Sequence, residues 1–343
     1  MNVGFFIADS FHYLPTILPL IRTTGGSIIT FKKKLSKYIG SGKKNFTVLY
    51  YKNYKYLIED FNNLSIDTLI HPSFSINYFR KIDGLKHVQI FHGTSDKPFN
   101  YHKSLRNYDL ITVPGPRMKE EIIEKELSVP DRIAVIGYPK IDSFLHSDFD
   151  RMAFGHKIGI DTSKKTVLFS PTWVDPNKYS SFPGYGIQIL RSLRNYNVIV
   201  KPHVDILRQR PWEILKAYII KGKNCFIFPR SIDILPFMAV SDLMITDISS
   251  VSHEYLPFDK PIVFISPKPK DKIPKEHRWI WRCGDVIENK CDILDVVKKN
   301  LDNPEMSKIE RESALKQIFY DFDGKSAARF KAALTDLMDK KVE

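Results

Sequence analysis

The sequence predicts an α/β protein built from two doubly wound domains, each with a parallel β-sheet. Short apolar runs of strand length alternate with segments of helical spacing, which is typical of parallel β-α architecture. The 343 residues exceed what one hydrophobic core usually holds, so two domains are expected. Polar side chains follow directly after several apolar runs, which is where open parallel sheets bind their ligands.

The first half of the chain contains six runs that are predicted to be strands. They are Val3–Ala8, Phe46–Tyr50, Asp67–His71, His87–Phe91, Asp109–Val113 and Arg132–Ile136. A polar and charged stretch follows the sequence GYPKID, and such stretches mark domain boundaries. We therefore expect residues 1–150 to form an N-terminal Rossmann-like domain.

The second half begins a new series of five predicted strands. They are Thr166–Ser170, Asn197–Lys201, Cys225–Phe228, Asp242–Asp247 and Pro261–Ile265. From about Cys291 onward, apolar residues recur at three-to-four spacing, which predicts C-terminal helices. We expect 151–343 to form a second Rossmann-like domain that includes these helices, with a ligand cleft between the two domains.

The net charge of +13 is concentrated near the N-terminus, since residues 10–58 contain no acidic residue. Lysines and aromatic residues alternate there, which suits an anionic membrane surface. A nucleic-acid surface or an ordinary solvated basic face would show the same pattern, but no zinc-finger or RNP motif supports nucleic acid. The candidate membrane-facing lysines are Lys32, Lys33, Lys34, Lys37, Lys43 and Lys44.

Several function classes lack their sequence signatures. No GxxxxGK[ST] motif is present, and no GxGxxG follows the first strand, so a P-loop NTPase or a classical NAD enzyme is not indicated. No DxD pair or acidic cluster would hold a divalent metal. No apolar stretch approaches the ~20 residues of a membrane span. The N-terminus reads as a first strand without a signal peptide.

The most informative segment is 242–262, DLMITDISSVSHEYLPFDKPI. A buried run ends at Asp247, and Ser249 and Ser250 precede a segment with helical spacing. Backbone N–H groups at a helix start have no intrahelical partner and favour negative charge, so this corner can hold a phosphate or diphosphate. The alternative is that one serine only caps the helix.

Two other strand ends carry histidines. His92 is followed by Gly93 and Thr94 in FHGTSDK, and Lys201 and His203 occur in KPHVD. An imidazole titrates near neutral pH, so His92 is a candidate general base for an attacking hydroxyl, although a turn histidine bonded to backbone is the alternative. Lys201 and His203 would supply positive charge to a diphosphate.

Two further residues are candidates for the nucleotide. Thr172 follows a strand in FSPTW, and Glu254 lies one helical turn beyond Ser250. A carboxylate at that position could accept hydrogen bonds from ribose hydroxyls. The alternative for Glu254 is an ordinary glutamate on a helix surface.

Six motifs in a fixed order carry a resemblance to a known family. They are FHGTSDK, VIGYPKID, FSPTW, KPH, DILPFMAVSDLMITDISSVSHEYLPFDKPIVF and DGKSAAR. In this order they resemble the CDP-glycerol glycerophosphotransferases, the teichoic acid primases and polymerases, over about residues 85–335. The resemblance implies a GT-B-like fold with an acceptor-side N-terminal domain and a donor-side C-terminal domain. It implies cytoplasmic enzymes on the inner membrane face that need no cofactor or metal and act on a polyprenyl-diphosphate-linked acceptor.

The resemblance also implies residue roles. His92 matches the histidine of HGT, which acts as base or phosphate partner, with Gly93 and Thr94 in the same turn. His203 matches the histidine of KPH, which is expected to contact the donor phosphates. We expect these two histidines to be catalytic.

The remaining matches are on the donor side. Asp247, Ser249 and Ser250 match the phosphate-holding turn, Glu254 matches a carboxylate placed for ribose, and Asp233 matches an acid on the cytidine side. Lys201 and Thr172 are expected to accompany them in the donor site.

Two departures from the family pattern concern the transferred group. Val174 stands where a basic residue usually follows Pro-Thr-Trp, and segment 266–282 is basic and tryptophan-containing instead of rich in Asp and Tyr. The leading hypothesis is transfer of glycerol phosphate or a related polyol phosphate from a CDP-activated donor to a lipid-linked acceptor, with release of CMP. The alternatives are a GT-B glycosyltransferase that uses a nucleotide sugar and a non-catalytic nucleic-acid-binding protein.

Overall fold

The structure, a computed structural model, describes residues 2–35, 39, 45–95, 97, 100–230 and 233–339. The chain divides into two compact units. The first comprises 1–92, 99–147 and 316–343, and the second comprises 93–98 and 148–315. The short segment 93–98 therefore belongs to the second unit, although the residues before and after it in the chain belong to the first unit.

The first unit is built on a seven-stranded parallel sheet in the order β3-β2-β1-β4-β5-β6-β7. Its strands are β1 (Val3–Ala8), β2 (Gly26–Thr30), β3 (Phe46–Tyr50), β4 (Thr68–His71), β5 (Lys86–Gln89), β6 (Leu110–Val113) and β7 (Ile133–Val135). Its first four helices are α1 (Leu14–Thr24), α2 (Tyr54–Asp60), α3 (Pro116–Glu124) and α4 (Pro139–Leu145). All six strands predicted in this half are confirmed, with ends that shift by at most two residues.

Strand β2 was missed because its glycine pair reads as a turn. Gly26 has φ +110°, and a Cβ at this position would lie 2.2 Å from the carbonyl oxygen of Val3. Only glycine permits that backbone conformation and that approach. The pair thus lets the chain pass from α1 directly into a strand beside β1.

The second unit is built on a six-stranded parallel sheet in the order β10-β9-β8-β11-β12-β13. Its strands are β8 (Thr166–Ser170), β9 (Asn197–Val200), β10 (Cys225–Ile227), β11 (Leu243–Thr246), β12 (Ile262–Ile265) and β13 (Gly284–Ile287). Its helices are α5 (Arg151–Ile158), α6 (Phe182–Ser192), α7 (Ile206–Gln209), α8 (Pro211–Ile220), α9 (Leu235–Val240), α10 (Ser250–Tyr255), α11 (Ile293–Asp302) and α12 (Lys308–Ile318). The five strands predicted here are confirmed, and the half-buried edge strand β13 was missed.

The strand order of each sheet reverses at one point. In the first unit the reversal lies between β1 and β4, and in the second it lies between β8 and β11. The loops that leave neighbouring strands at such a point diverge, which opens a crevice at the carboxyl edge of the sheet. The loops after β1, β4, β8 and β11 are therefore the places to look for ligand-binding residues.

The last helix, α13 (Ser326–Asp339), packs on the first unit, whereas the sequence placed all of 151–343 in the second domain. Phe330 and Leu334 are fully buried in the core cluster that contains β1 and α1. The carboxylate of Asp142 accepts hydrogen bonds from the N–H groups of Gly324 (2.8 Å) and Ser326 (2.9 Å). These contacts bring the chain end back to the first unit and account for two of the motifs, VIGYPKID and DGKSAAR.

Within the described ranges, no helix has the length and apolarity that crossing a membrane requires.

A buried histidine pair links β4 and β5. Nε2 of His71 lies 3.1 Å from Nδ1 of His87, and Nδ1 of His71 lies 2.7 Å from Oγ of Ser75. Burial lowers the pKa of both imidazoles, and the neighbouring His87 lowers that of His71 further. Asp109 opposes the shift at His87. The folded protein therefore holds this pair neutral.

We expect the unfolding free energy to decrease as the pH falls below about 6.5, the ordinary histidine pKa. The unfolded chain binds protons there that the folded chain resists, so stability is present above that pH and is lost as the pH decreases. Urea unfolding between pH 7.5 and 5.5, a window of about one unit on either side of the ordinary value, should show the loss, and His71→Asn should make the slope shallower. His156→Asn, which removes an exposed histidine of α5, should leave the slope unchanged. An unchanged slope in His71→Asn would contradict the prediction.

Candidate functional site

In the first unit, His92 lies at the carboxyl edge where the strand order reverses. Its Nδ1 is 2.7 Å from the carbonyl oxygen of Pro72, the first residue after β4. The rings of His12 and Tyr13, which follow β1, have centroids 5.4 and 4.5 Å from that of His92. The hydroxyl of buried Tyr138 donates to the His92 carbonyl oxygen at 2.7 Å. Loops after β1 and β4 thus position the ring of His92, and Tyr138, which follows β7, anchors its backbone.

The contact with Pro72 determines which nitrogen of His92 carries the proton. A carbonyl oxygen only accepts hydrogen bonds, so Nδ1 donates and Nε2 keeps its lone pair. The residue keeps solvent access, yet the protein around its ring lowers the pKa by desolvation; the Pro72 carbonyl opposes this shift and the positive charge of Lys140 adds to it. His92 is therefore a neutral imidazole at neutral pH, with a fixed tautomer and a basic Nε2.

In the second unit, Asp247 is a buried hub at the reversal between β8 and β11. Its carboxylate accepts hydrogen bonds from the N–H of Thr172 (3.0 Å), the N–H of Ser181 (2.7 Å) and the Ser181 hydroxyl (2.8 Å). Burial raises the pKa of Asp247 to about 6, while these donors and Lys97 act in the opposite direction. Asp247 therefore positions the loop after β8 and its return toward α6, and its own oxygens are enclosed.

The predicted turn after β11 leads into α10, which begins at Ser250. Ser249 occupies the N-cap position with extended backbone, but its side chain makes no capping hydrogen bond. Both serines are partly exposed. A Cβ added at Gly93 would lie 3.4 Å from Cβ and Oγ of Ser250, so Gly93 packs closely against this turn. The idea that a serine is present only as a cap is not supported by this geometry.

Two side chains that follow His92, those of Thr94 and Lys97, contact the rest of the second unit. Oγ1 of Thr94 lies 3.0 Å from Nδ1 of buried His253 on α10. Nζ of Lys97 lies 2.6 Å from the carboxylate of Asp175 and 3.0 Å from Oγ1 of Thr172. Lys97, Thr172 and Asp175 are each at most 5% exposed. A buried ion pair therefore joins the end of the HGT motif to the loop after β8.

The remaining predicted residues occupy the same edge of the second sheet. Lys201 is buried directly after β9, and its Nζ donates to the carbonyl oxygen of Pro202 at 3.4 Å. The N–H of partly buried His203 donates to the carbonyl oxygen of Pro171 at 3.1 Å, which links the loops after β8 and β9. Glu254 is 3% exposed, so the alternative of a surface glutamate is wrong.

Asp233 has a structural contact. Its Oδ1 accepts a hydrogen bond from the N–H of Leu235 at 3.1 Å, at the start of α9. A cytidine contact by Asp233 stays a prediction, as do the ligand contacts of the other candidates.

Sequence reasoning missed four buried residues of this edge: Lys97, Asp175, Ser181 and His253. Lys97 stands five residues after His92 inside a motif that was singled out, but nothing in the sequence showed that its charge is buried. The other three contact their partners only after folding has brought distant segments together. The only sequence feature that could have identified these residues is that they lie close to a motif in the chain, and this by itself does not indicate a role.

The predicted basic patch is only partly described. Lys32, Lys33 and Lys34 are exposed, whereas Lys37, Lys43 and Lys44 lie outside the described residues. Within the described part of the chain, no group of three or more His, Cys, Asp or Glu side chains is arranged to hold a metal ion.

We expect Lys97→Ala to lower the unfolding free energy by about 3–5 kcal/mol, because it leaves the carboxylate of Asp175 buried without its cation. The double variant Lys97→Met/Asp175→Leu should recover part of this loss, since an apolar pair removes both charges. Urea unfolding of the wild type, Lys97→Met, Asp175→Leu and the double variant measures the coupling. Lys55→Ala, at an exposed Lys55–Glu59 pair, should have no measurable effect. Equal losses in the single and double variants would contradict the ion-pair assignment.

Comparison with known proteins gives a consistent result. A family model described as CDP-glycerol:poly(glycerophosphate) glycerophosphotransferase matches residues 25–335. The chain is 24% identical to a teichoic acid poly(ribitol-phosphate) polymerase of Bacillus spizizenii, over 69% of this chain and 39% of that protein. It is 26% identical to a teichoic acid poly(glycerol phosphate) polymerase of the same organism, over 51% of this chain and 45% of that protein. The chain thus spans less than half the length of either relative.

A solved structure of the wall teichoic acid polymerase TagF superimposes on the whole chain with a TM-score of 0.74 at 16% identity, covering 90% of that structure. This likeness confirms the predicted fold class of two parallel-sheet α/β domains. The family model covers most of the chain, and the six motifs lie in the order that the resemblance requires. The chain therefore belongs to the CDP-glycerol:poly(glycerophosphate) glycerophosphotransferase family.

Proposed function

We propose that this protein transfers a polyol phosphate from a CDP-activated polyol to a hydroxyl of a polyprenyl-diphosphate-linked glycan. The acceptor oxygen forms a bond to the β-phosphorus, the bond from that phosphorus to the bridging oxygen breaks, and CMP leaves with that oxygen. The acceptor proton passes to the enzyme. Family membership supports the donor class, and the similarity to teichoic acid polymerases supports an acceptor used in cell-wall synthesis.

The observation that carries the proposal is the hydrogen bond from Nδ1 of His92 to the Pro72 carbonyl oxygen. It leaves Nε2 as a base, and the lowered pKa keeps that base unprotonated at neutral pH. A general base with this property is what an attacking hydroxyl needs. The neighbouring rings of His12 and Tyr13 and the anchor from Tyr138 restrict its orientation.

The donor diphosphate is assigned to the carboxyl edge of the second sheet. The turn at Ser249 and Ser250, which follows β11, offers hydroxyl and backbone donors. Lys201 and His203 follow β9, which is separated from β11 by β8 in the same sheet. Such donors stabilise the charge that develops on a leaving phosphate, and one well-placed donor can contribute about 3–4 kcal/mol. Asp247 holds the adjoining loop in place from beneath. Glu254 is proposed to accept hydrogen bonds from the ribose.

The transferred polyol is proposed to be glycerol or a close relative such as ribitol. The family name specifies glycerol, whereas one matched relative is a ribitol-phosphate polymerase. Val174 and the basic segment 266–282 depart from the family pattern at positions that we propose to contact the polyol of the donor. We further propose that the protein works on the inner face of the cell membrane as a peripheral protein.

We expect His92→Ala to lower turnover by roughly 10²–10⁴, because the general base is lost. The assay follows CMP release from CDP-glycerol and from CDP-ribitol in the presence of a lipid-linked acceptor, with UDP-sugars tested in parallel. His156→Ala, at an exposed position of α5, is the matched control and should retain full activity. If His92→Ala released CMP at the wild-type rate, His92 would have no role in the mechanism. Release of UDP from a UDP-sugar without release of CMP would favour a glycosyltransferase.

A second variant tests the donor side separately. We expect Ser249→Ala/Ser250→Ala to raise the KM for the CDP-polyol about tenfold or more, because two hydrogen-bond donors to phosphate are removed. Steady-state kinetics at varied donor concentration would show this shift. Ser313→Ala, at an exposed position of α12, controls for loss of a helix serine. An unchanged KM would place the diphosphate elsewhere.

A further inference from the structure

Helix α8 (Pro211–Ile220) turns apolar side chains away from the protein. Trp212, Leu215 and Ile219 are 72%, 47% and 73% exposed, while Ile214 and Ala217 are buried on the opposite side. At about 100° per residue, the three exposed residues share one face. The apolar side of a surface helix normally faces the core and is covered by it. Here one apolar side is uncovered.

The exposed apolar residues are more concentrated on α8 than in the rest of the described chain. Single exposed apolar residues are common on protein surfaces, but contiguous patches mark interaction sites. Of the 14 exposed large hydrophobic residues in the described ranges, four lie on this helix of 10 residues, with Tyr218 as the fourth. We call Trp212, Leu215 and Ile219 together the α8 face.

The α8 face is bordered by positive charge. Segment 205–224 contains five exposed basic residues and two acidic residues, which gives a net charge of 5 − 2 = +3. Each acidic residue is paired with a basic one: Glu213 lies 3.3 Å from Nζ of Lys216, and Asp205 lies 3.6 Å from the guanidinium of Arg208. The basic residues are Arg208, Arg210, Lys216, Lys221 and Lys223.

We propose that the α8 face docks the protein on an anionic lipid bilayer. Tryptophan with aliphatic neighbours enters the boundary between headgroups and acyl chains, and surrounding Lys and Arg bind anionic headgroups at about 1 kcal/mol each. A symmetric contact with a second copy would place two such positive borders against each other, which is unfavourable. This proposal deepens the peripheral attachment proposed above and assigns it to a helix of the second unit.

The test is co-sedimentation of the full chain with phosphatidylcholine vesicles that contain or lack phosphatidylglycerol. The wild type should bind the anionic vesicles, and added salt should weaken this binding. We expect the variant Trp212→Ser/Leu215→Ser/Ile219→Ser to bind these vesicles at least about tenfold more weakly than the wild type, because three inserted side chains are lost. Since these side chains are exposed, circular dichroism should show an unchanged fold.

Two controls make the result specific. Ile309→Ser removes an apolar residue that is 79% exposed on α12 and should bind like the wild type. Lys32→Ser/Lys33→Ser/Lys34→Ser tests the basic patch predicted in the first unit. Loss of binding only in this lysine variant would overturn the α8 assignment, as would equal binding of the triple α8 variant and the wild type.

Other occupants give distinct outcomes. If light scattering shows a dimer that the α8 variant loses, a second copy covers the face and the proposal fails. CMP release from a water-soluble acceptor analogue separates this test from the proposed function. Activity retained by the α8 variant together with lost vesicle binding supports membrane docking. Absence of CMP release in the wild type would refute the transferase proposal while leaving the vesicle result decisive for α8.

Discussion

The carboxyl edge of the second sheet depends on how the buried charge of Asp247 is compensated. A carboxylate enclosed by protein is costly unless several donors surround it. Three donors from two residues, Thr172 and Ser181, do so at 2.7–3.0 Å. The loop after β8 must therefore adopt one conformation, because any other would leave the charge unsatisfied. The ion pair of Lys97 and Asp175 adds a second constraint on the same loop and holds Lys97 against it.

The first unit uses neutral groups for a comparable purpose. His92 is fixed by one backbone carbonyl on its ring and one tyrosine hydroxyl on its own carbonyl oxygen. Tyr138, which supplies that hydroxyl, is itself held next to α4, where Asp142 binds the N–H groups at the start of α13. A chain of hydrogen bonds thus runs from the C-terminal helix to the candidate base. It explains why a motif near residue 325, far from any strand end, accompanies the others.

The sequence predicted the strands of both sheets well because buried parallel strands are short, apolar and bounded by polar residues. It failed for β2 and β13, which begin with glycines that read as turns but allow close approach to neighbouring carbonyl oxygens. It also failed for the end of the chain, since the periodicity of a helix predicts that it packs, not which core receives it. Phe330 and Leu334 would fit either core by composition, and the contacts of Asp142 decide between them.

The sequence predicted which strand ends carry the candidate residues, but not which of these residues are buried and which are exposed. Most motifs indicated a polar residue after a strand, and the structure divides these residues by burial. Asp247, Thr172 and Lys97 are enclosed. His92, Ser249, Ser250 and His203 keep solvent access and can meet a ligand without further desolvation of their surroundings. A sequence motif contains both the buried and the solvent-accessible residues. A loop that exposes a hydroxyl or an imidazole to a ligand also needs the buried side chains that hold the loop in position. Substitution of an anchor should therefore act through the position of the loop, and substitution of a presented group should act on the ligand directly.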